Sequence, residues 1–226
     1  MKRVITALLA ALLALSLAAC GSGVETKKLA GTWTCTIDVT DRMNAAAEQA
    51  LGLSAADGTA QMPLQLVLTV TEDGAYTLRY DSDAARTALD AYAAALHPAA
   101  VESVYAAAEE QGLSREEYDA AMEKAGITMD DMVAAIFAGV DEEELLSLLT
   151  GRSAAITGYC RAESGQLYLA DTAAELAETA DCLSYTLSDG TMTWTDAQGE
   201  LSSQLTEQEQ ELLRVPLTWT KQEESK

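Results

Sequence analysis

The sequence predicts an α+β protein in which about eight antiparallel strands form an up-and-down β-barrel, with a helical insertion between strands three and four. Three observations lead to this fold class. Residues 29–81 and 152–221 alternate apolar and polar side chains with the period of two that half-buried strands show. Short turns that contain Gly join successive strands. Residues 82–151 instead carry repeated helix start and stop signals.

The chain begins with a segment typical of protein export. Lys2 and Arg3 precede an almost purely apolar run, Val4–Leu17. That run is shorter than the roughly 20 residues that a membrane-spanning helix needs, and it has the length of a secretory signal. Residues 1–19 are therefore predicted to be a signal peptide.

The string Leu17-Ala18-Ala19-Cys20 resembles the bacterial lipobox. This resemblance implies that the Cys20 thiol is lipidated and that the chain is cut before it. Residues 20–28 are then expected to be a lipidated tether, made flexible by Gly21-Ser22-Gly23, on a protein anchored at the extracytoplasmic face of the cell membrane. The alternative is an ordinary signal peptide with an incidental cysteine.

The first part of the barrel, residues 29–81, contains three predicted strands. The segments "LAGTWTCTIDV" and "MPLQLVLTV" place apolar side chains at alternate positions. The segment "TEDGAYTLRY" forms a hairpin around Asp73-Gly74, a favoured dipeptide for a tight antiparallel turn. Between strands one and two, residues 41–58 predict a short helix that Asp41 caps and Gly52 punctuates.

The helical insertion, residues 82–151, is predicted to contain about five short helices. Cap residues with early acids mark helix starts at Ser114, Thr128 and Asp141. His97-Pro98 is predicted to separate an Ala-rich helix from the next, with Pro98 at a tolerated first-turn position. Glycines fall where helices are expected to end, at Gly112, Gly126, Gly139 and Gly151.

The second part of the barrel, residues 152–221, is predicted to add five strands. Two hairpins turn at Glu163-Ser164-Gly165 and at Asp189-Gly190, and "VPLTWTK" forms a closing strand. Residues 222–226 remain as a tail. Closure of about eight strands removes their unpaired edges, and an eight-stranded interior has room for packed side chains or for one small ligand.

The barrel sequence also resembles a known fold family. Gly31-Thr32-Trp33 resembles the Gly-x-Trp opening of the lipocalins, and the helix after strand one resembles the helical cap of fatty-acid-binding proteins. With the lipobox, the segments "GTWTCTIDVTD", "TEDGAYTL", "GQLYLAD", "YTLSDGTMTWTD" and "LTWTK" look like the lipocalin-like lipoproteins of gut Clostridia. The resemblance implies a lipocalin-like barrel and a basic residue late in the chain, Arg214 or Lys221, that packs across Trp33.

The predicted mature chain is strongly acidic, with 12 basic and 36 acidic residues. Such a surface repels nucleic acid, whose binding depends on Lys and Arg, and it repels anionic lipid headgroups. Membrane contact is therefore expected through the lipid on Cys20. Residues 82–151 hold 15 acidic and 3 basic residues. The spread of the acids favours a solubilising role over a docking site for a basic partner or for divalent cations.

The three cysteines after Cys20 are expected to be buried thiols. In a simple meander Cys35, Cys160 and Cys182 lie on strands one, four and six, and these strands are not neighbours. A Cys160–Cys182 disulfide is the alternative if the strand order is rearranged.

No recognisable constellation of catalytic or metal-binding residues occurs in the sequence. His97 is the only histidine, and no Gly-x-Ser-x-Gly elbow accompanies it. One histidine without a close cysteine pair disfavours zinc. Asp81-Ser82-Asp83 lacks the rest of a calcium loop and fits helix capping better. We therefore expect a protein that is not an enzyme and that needs no cofactor.

Two binding functions remain open. In the first, the helices cap the barrel and its interior holds a small apolar ligand; the candidate lining residues are Trp33, Ile37, Leu66, Leu68, Tyr76, Leu78, Tyr185, Met192, Trp194 and Trp219. The same residues would equally make a solid core, and a closed cavity of roughly 300 Å³ or more would favour the ligand. In the second, the protein is a surface scaffold or interaction module that presents the acidic insertion, with an exposed apolar patch at Tyr118, Met129, Met132 and Phe137.

Overall fold

The computed structural model describes residues 24–53, 60–138, 155–179, 182–198 and 214–223. Eight antiparallel strands form a closed barrel in which each strand pairs with its neighbours in sequence and the last pairs with the first. The strands are β1 (Gly31–Asp38), β2 (Pro63–Val70), β3 (Ala75–Tyr80), β4 (Ile156–Glu163), β5 (Gln166–Ala170), β6 (Cys182–Ser188), β7 (Thr191–Gln198) and β8 (Leu217–Lys221). The predicted up-and-down barrel is confirmed.

Tight turns set the register of the hairpins. Ser164 and Gly165 link β4 to β5, and Asp189 and Gly190 link β6 to β7, each pair as a two-residue loop. All four residues have positive φ, the conformation that a type I′ turn needs. The predicted Asp73-Gly74 turn lies within a four-residue loop between β2 and β3.

Five helices accompany the strands in the described part of the chain. They are α1, described over residues 24–29, and α2 (Thr40–Leu51), α3 (Ser82–Glu110), α4 (Arg115–Ala125) and α5 (Met129–Phe137). As predicted, α2 joins β1 to β2, and α3 to α5 lie between β3 and β4. A short 3-10 turn, Glu175–Ala177, follows β5. The predicted helix boundaries at Gly139, Asp141 and Gly151 lie outside the described residues.

Pro98 does not separate two helices, contrary to the prediction. It lies inside α3, which continues for 29 residues. Proline removes one backbone hydrogen bond and disfavours the helical conformation of the preceding residue. Packing outweighs this cost, because the buried side chains of α3 recur every four residues on both sides of the proline, at Tyr92, Leu96, Ala100, Val104 and Ala108. Pro98 itself is exposed.

Side-chain caps begin α3, α4 and α5 at the predicted residues. The Asp81 carboxylate accepts hydrogen bonds from two backbone N–H groups in the first turn of α3, both at 3.1 Å. Ser114 and Thr128 each form a reciprocal capping box, with Glu117 and Asp131. Local chemistry therefore sets these helix starts.

Asp41 does not cap α2. The helix begins one residue earlier, at Thr40, so Asp41 lies inside the first turn. The Asp38 carboxylate accepts a hydrogen bond from the backbone N–H of Thr40 at 2.9 Å, at the junction of strand and helix. Gly52 ends α2 with φ 65°, as predicted.

The described residues fall into two compact units. The barrel unit consists of the described residues of Met1–Cys35, Leu66–Tyr80 and Ala154–Lys226. The helical unit consists of the described residues of Thr36–Gln65 and Asp81–Ser153. The described core of the helical unit includes a cluster of Leu53, Ala100 and Val133, against which Leu51, Val101, Met129, Ile136 and Phe137 pack. No helix in the described ranges has both the length and the apolar composition needed to cross a membrane.

The last residues assigned to the tether, 24–28, belong to α1. Within the barrel unit, the Thr26 hydroxyl accepts a hydrogen bond from the backbone N–H of Ala162 at 3.0 Å. The pairing of β3 with β4 ends at Tyr159, so β3 offers no acceptor to the backbone N–H of Ala162. The Thr26 hydroxyl supplies that acceptor instead. The segment 24–28 is therefore folded onto the barrel and is not a free linker.

Candidate functional site

The ten candidate ligand residues lie on one face of the strands. The pairs Leu68↔Leu78, Tyr185↔Trp194 and Met192↔Trp219 are directly opposite in the ladder, and opposite residues of an antiparallel pair point to the same face. Seven are buried, namely Trp33, Leu66, Leu68, Leu78, Met192, Trp194 and Trp219. Ile37, Tyr76 and Tyr185 are half-buried, and Ile37 belongs to the helical unit. The other nine line the barrel interior; that they surround a ligand cavity stays a prediction.

Trp194 and Trp219 form the most unusual part of this interior. Their ring centroids are 4.8 Å apart, with the planes tilted by 48°. The Nε1 atoms of both rings are buried, and neither has a hydrogen-bond partner among the described residues. A buried N–H group without an acceptor costs about 1–3 kcal/mol. Native proteins pair nearly all such groups, so two adjacent exceptions among the described residues are unusual.

Trp33, in contrast, is fully paired. Its Nε1 donates a hydrogen bond to the backbone carbonyl of Leu29 at 2.7 Å. The Lys221 ammonium lies 5.3 Å from the centroid of the Trp33 ring, which confirms Lys221 as the late basic residue; Arg214 is exposed. Gly31 permits this approach, because a Cβ at that position would lie 2.8 Å from Lys221 Cε.

One end of the barrel, which we call the turn end, carries the loops 71–74, 164–165 and 189–190. Helix α1 lies across the turn end. Leu29 contacts β1 through Trp33, and Thr26 contacts β4 through Ala162. Helix α1 is therefore tied to β1 and to β4 at this end of the barrel.

Helix α1 also carries Glu25, which is half-buried. Its Oε2 atom is buried and has no hydrogen-bond partner among the described residues. Burial raises the pKa of the Tyr185 phenol, and the Glu25 carboxylate raises it further. Helix α1 was not predicted, because residues 24–29 have too few apolar side chains to show helical periodicity.

The three described cysteines are free and buried. The strand order is sequential, with Cys35 on β1, Cys160 on β4 and Cys182 on β6. The predicted separation of the three cysteines is therefore confirmed. The alternative, a Cys160–Cys182 disulfide in a rearranged strand order, is wrong. Burial raises the pKa of the Cys160 thiol to about 12, and it also raises the pKa of the Cys35 thiol. A neutral thiol is a poor nucleophile, so these side chains act as small apolar groups.

The helical unit contains a groove that the sequence analysis missed. It has a volume of about 240 Å³ and is lined by Met43, Ala46, Ala47, Ala50, Leu51, Leu89, Asp90, Tyr92, Ala93, Leu96 and Phe137. The Tyr92 hydroxyl donates a hydrogen bond to the Asn44 side chain at 2.7 Å. The sequence signal that could have indicated this groove is the helical spacing of four residues between Met43 and Ala47 and between Tyr92 and Leu96.

The four residues proposed as an exposed patch, Tyr118, Met129, Met132 and Phe137, are half-buried. Met129 and Phe137 pack on the core of the helical unit. Tyr118 packs edge-on against Tyr105, with ring centroids 6.3 Å apart. A contiguous exposed patch made of all four side chains is therefore not observed.

His97 and Asp81 of the helical unit have structural partners. The His97 imidazole Nε2 lies 3.1 Å from an oxygen of Asp130, between α3 and α5. Asp81 caps α3, as the sequence predicts. No group of His, Cys, Asp and Glu side chains in the described ranges is arranged to hold a metal ion.

Comparison with protein-family models, with curated proteins and with solved structures finds no match for this chain. The closed eight-stranded barrel therefore supports a lipocalin-like fold through its own topology, and no function is carried over from a relative.

Proposed function

We propose that the barrel binds a small, largely apolar ligand in its interior, on a protein held at the extracytoplasmic face of the cell membrane by a lipid on Cys20. The observation that carries the ligand proposal is the closed eight-stranded barrel with an apolar inner face, on which the indole N–H groups of Trp194 and Trp219 have no acceptor among the described residues. The role is one of binding and not of catalysis, because the sequence offers no nucleophile with an adjacent base.

A bound ligand would remove the cost of these two donors. The indole rings and their neighbours Met192 and Leu217 supply apolar contact area on the same face. The two N–H groups would orient a polar atom of the ligand, in the usual pattern of an apolar pocket with few polar groups. Trp33 shows that this barrel pairs an indole N–H with its own backbone where the geometry allows.

Native mass spectrometry tests the ligand. Residues 21–226, which include every described residue, are produced in bacterial cells and sprayed from a volatile buffer. We expect a mass increment of a co-purified small molecule that is reduced in Trp194→Phe and in Trp219→Phe, since phenylalanine keeps an aromatic ring and loses the donor. Tyr168→Phe, on the outward face of β5, is the matched control and should retain the increment. An increment that is equal in all variants, or absent from all, argues against an interior site.

The lipid anchor rests on the resemblance of residues 17–20 to a lipobox. We expect the chain expressed in a Gram-positive host to take up a labelled fatty acid and to sediment with membranes. Cys20→Ser should abolish the label and release the protein, whereas Cys160→Ser should change neither. Label that persists in Cys20→Ser would show that the cysteine is incidental.

A second candidate is the surface scaffold that presents the acidic insertion. The apolar groove of the helical unit favours it, because Leu89 and Phe137 are only half-buried there. Cross-linking on intact cells should then capture a partner on this groove, and Leu89→Glu should prevent the capture. The ligand hypothesis predicts no effect of Leu89→Glu on the mass increment, so the two functions are separable.

A further inference from the structure

We propose that the groove of the helical unit binds a small, elongated apolar amine, with the ammonium group at Asp90 and the hydrocarbon chain between α2 and α3. The site is separate from the barrel interior, so the ligand proposed for the barrel is tested independently. The groove is thereby assigned a small molecule in place of the protein partner of the second candidate function.

The size of the groove favours a small molecule. Small side chains on its two walls, Ala46, Ala47 and Ala50 of α2 and Ala93 of α3, line a space of about 240 Å³. This equals about eight water molecules at their volume in the liquid, which is enough for a ligand of roughly eight to ten non-hydrogen atoms. A single helical turn of a partner protein, about 10 Å wide and about 5.4 Å long, already exceeds this volume.

The polar groups of the groove select a ligand that donates hydrogen bonds. Apart from Asp90 and the Tyr92 hydroxyl, the lining side chains are apolar. The single proton of the Tyr92 hydroxyl is already donated to the Asn44 side chain at 2.7 Å. What remains for a ligand is a carboxylate and a hydroxyl lone pair, and both are acceptors. An ammonium group, with three donors and no acceptor, matches them, whereas a carboxylate does not.

The charge around Asp90 favours a cation. Its carboxylate is exposed, and it takes part in none of the ion pairs between described residues. Arg86, one turn earlier on α3, already has an interaction of its own. Among the described residues no Lys or Arg lines the groove. The predicted mature chain, with 12 basic and 36 acidic residues, also has a potential that concentrates cations at its surface. A ligand carboxylate would therefore be repelled.

Asp90 and Phe137 lie towards opposite ends of the groove. Phe137 packs on the core cluster that contains Ala100. Ala100 follows Asp90 by ten residues on α3, which separates them by about 15 Å along the helix axis. A linear ligand with its ammonium group at Asp90 can therefore extend its chain between the helices towards Phe137.

The chain offers a single reporter for the groove, because Phe137 is its only phenylalanine. Residues 21–226 labelled with 4-fluorophenylalanine are titrated at pH 7.4 with three probes of equal chain length, octylammonium, octanol and octanoate. We expect octylammonium to shift the single fluorine resonance saturably. It should bind about threefold more tightly than octanol, the gain from an exposed ion pair, and about tenfold more tightly than octanoate, for which repulsion adds to the difference.

Three variants locate the site. Asp90→Asn keeps the shape and removes the charge, so the preference for octylammonium over octanol should fall from about threefold to about one. Glu110→Gln is the matched control, because it removes the same charge from α3 about 30 Å away, and it should keep the preference. Ala93→Leu fills the groove and should weaken the binding of all three probes at least about fivefold.

Each contrary result is decisive. An unchanged fluorine resonance with all three probes overturns the proposal, as does octanol or octanoate that binds as tightly as octylammonium. A preference that survives in Asp90→Asn, or that Glu110→Gln reduces equally, also overturns it, because Asp90 then does not select the ligand. A resonance that moves with protein concentration and not with octylammonium assigns the groove to a second copy of the chain instead. None of these results bears on the Trp194 and Trp219 variants that test the barrel.

Discussion

The barrel unit and the helical unit are stabilised in different ways. In the barrel unit Trp33, Met192 and Trp219 are at most 1 % exposed and lie on strands whose register fixes their neighbours. In the helical unit α4 has no buried residue. It is tied to α3 by Arg115, whose guanidinium bonds to Glu102 at 2.7 Å and lies over a tyrosine ring.

This difference shows where the stability of each unit is concentrated. A few large side chains in fixed positions contribute much of the stability of the barrel. Truncating one of them leaves a cavity, because the hydrogen-bonded strands of a closed barrel cannot move together to fill it. Caps and exposed ion pairs in the helical unit each contribute about 1 kcal/mol or less. Single substitutions should therefore have large, global effects in the barrel and small, local ones in the helices.

The largest effect is expected for Trp219→Ala. Removing a fully buried indole from the barrel should lower its free energy of unfolding by about 3–5 kcal/mol. Urea unfolding followed by near-ultraviolet circular dichroism measures the change. Leu187→Ala on β6 is the control, because Leu187 is 36 % exposed, and it should cost less than about 1 kcal/mol. Equal losses for both variants would contradict a concentrated core.

Replacing glycines compares the two units at the backbone. Gly74 has φ 87°, and a Cβ there would lie 2.4 Å from the backbone carbonyl oxygen of Cys160. Gly126 has φ 70° and open space around it. Gly74→Ala should therefore cost at least about 3 kcal/mol, from strain and from the clash. Gly126→Ala should cost about 1 kcal/mol, from strain alone.

Both glycine variants can be compared by thermal unfolding under identical conditions. If Gly126→Ala proves as damaging as Gly74→Ala, the close packing of the β2–β3 loop on β4 is not what limits that position.

Loss of a helix cap should have a smaller and local effect. Ser114→Ala removes the hydroxyl of the capping box that begins α4 and should cost about 1 kcal/mol. Hydrogen exchange read by mass spectrometry should show faster exchange in α4 and unchanged protection in β6 to β8. The conservative Ser114→Thr keeps a capping hydroxyl and should restore protection. Loss of protection throughout the barrel would show that the units unfold as one.

The smallest effect is expected from mild acid, and it should appear at the helix starts. The backbone N–H and hydroxyl of Ser114 lower the pKa of Glu117, and the hydroxyl and N–H of Thr128 lower the pKa of Asp131. Carboxylates with a lowered pKa stabilise the folded state above their unfolded pKa, and this contribution is lost as the pH falls through the lowered values. Protection factors in α4 and α5 should therefore decrease between about pH 5 and pH 3.

The barrel should respond at the opposite end of the pH scale. Burial raises the pKa of Cys160 from 9.0 to about 12, so its contribution is complete below pH 9 and fades as the pH rises towards 12. The Cys160 thiol should also resist alkylation at pH 8 until the barrel is unfolded. Rapid labelling in the folded protein would contradict its burial.

Much of the fold could be predicted because its signals are local. Alternating side chains identified the strands, and the dipeptides Ser164-Gly165 and Asp189-Gly190 identified two turns because they tolerate positive φ. The inward direction of the ten candidate ligand residues could be predicted for the same reason, since the inward face of a strand follows from its period of two. The free Trp194 and Trp219 donors could not, because an unpaired group is recognised only when all its neighbours are known.

By itself, the sequence determined the number and order of the strands, the helix starts at Asp81, Ser114 and Thr128, and the side of each strand that faces inward. These properties depend on residues within a few positions of one another. Only the tertiary structure decided that α3 continues through Pro98, that Thr26 of α1 bonds to β4, and that Lys221 lies over Trp33. Each of these arises between residues far apart in the chain, where packing outweighs local preference.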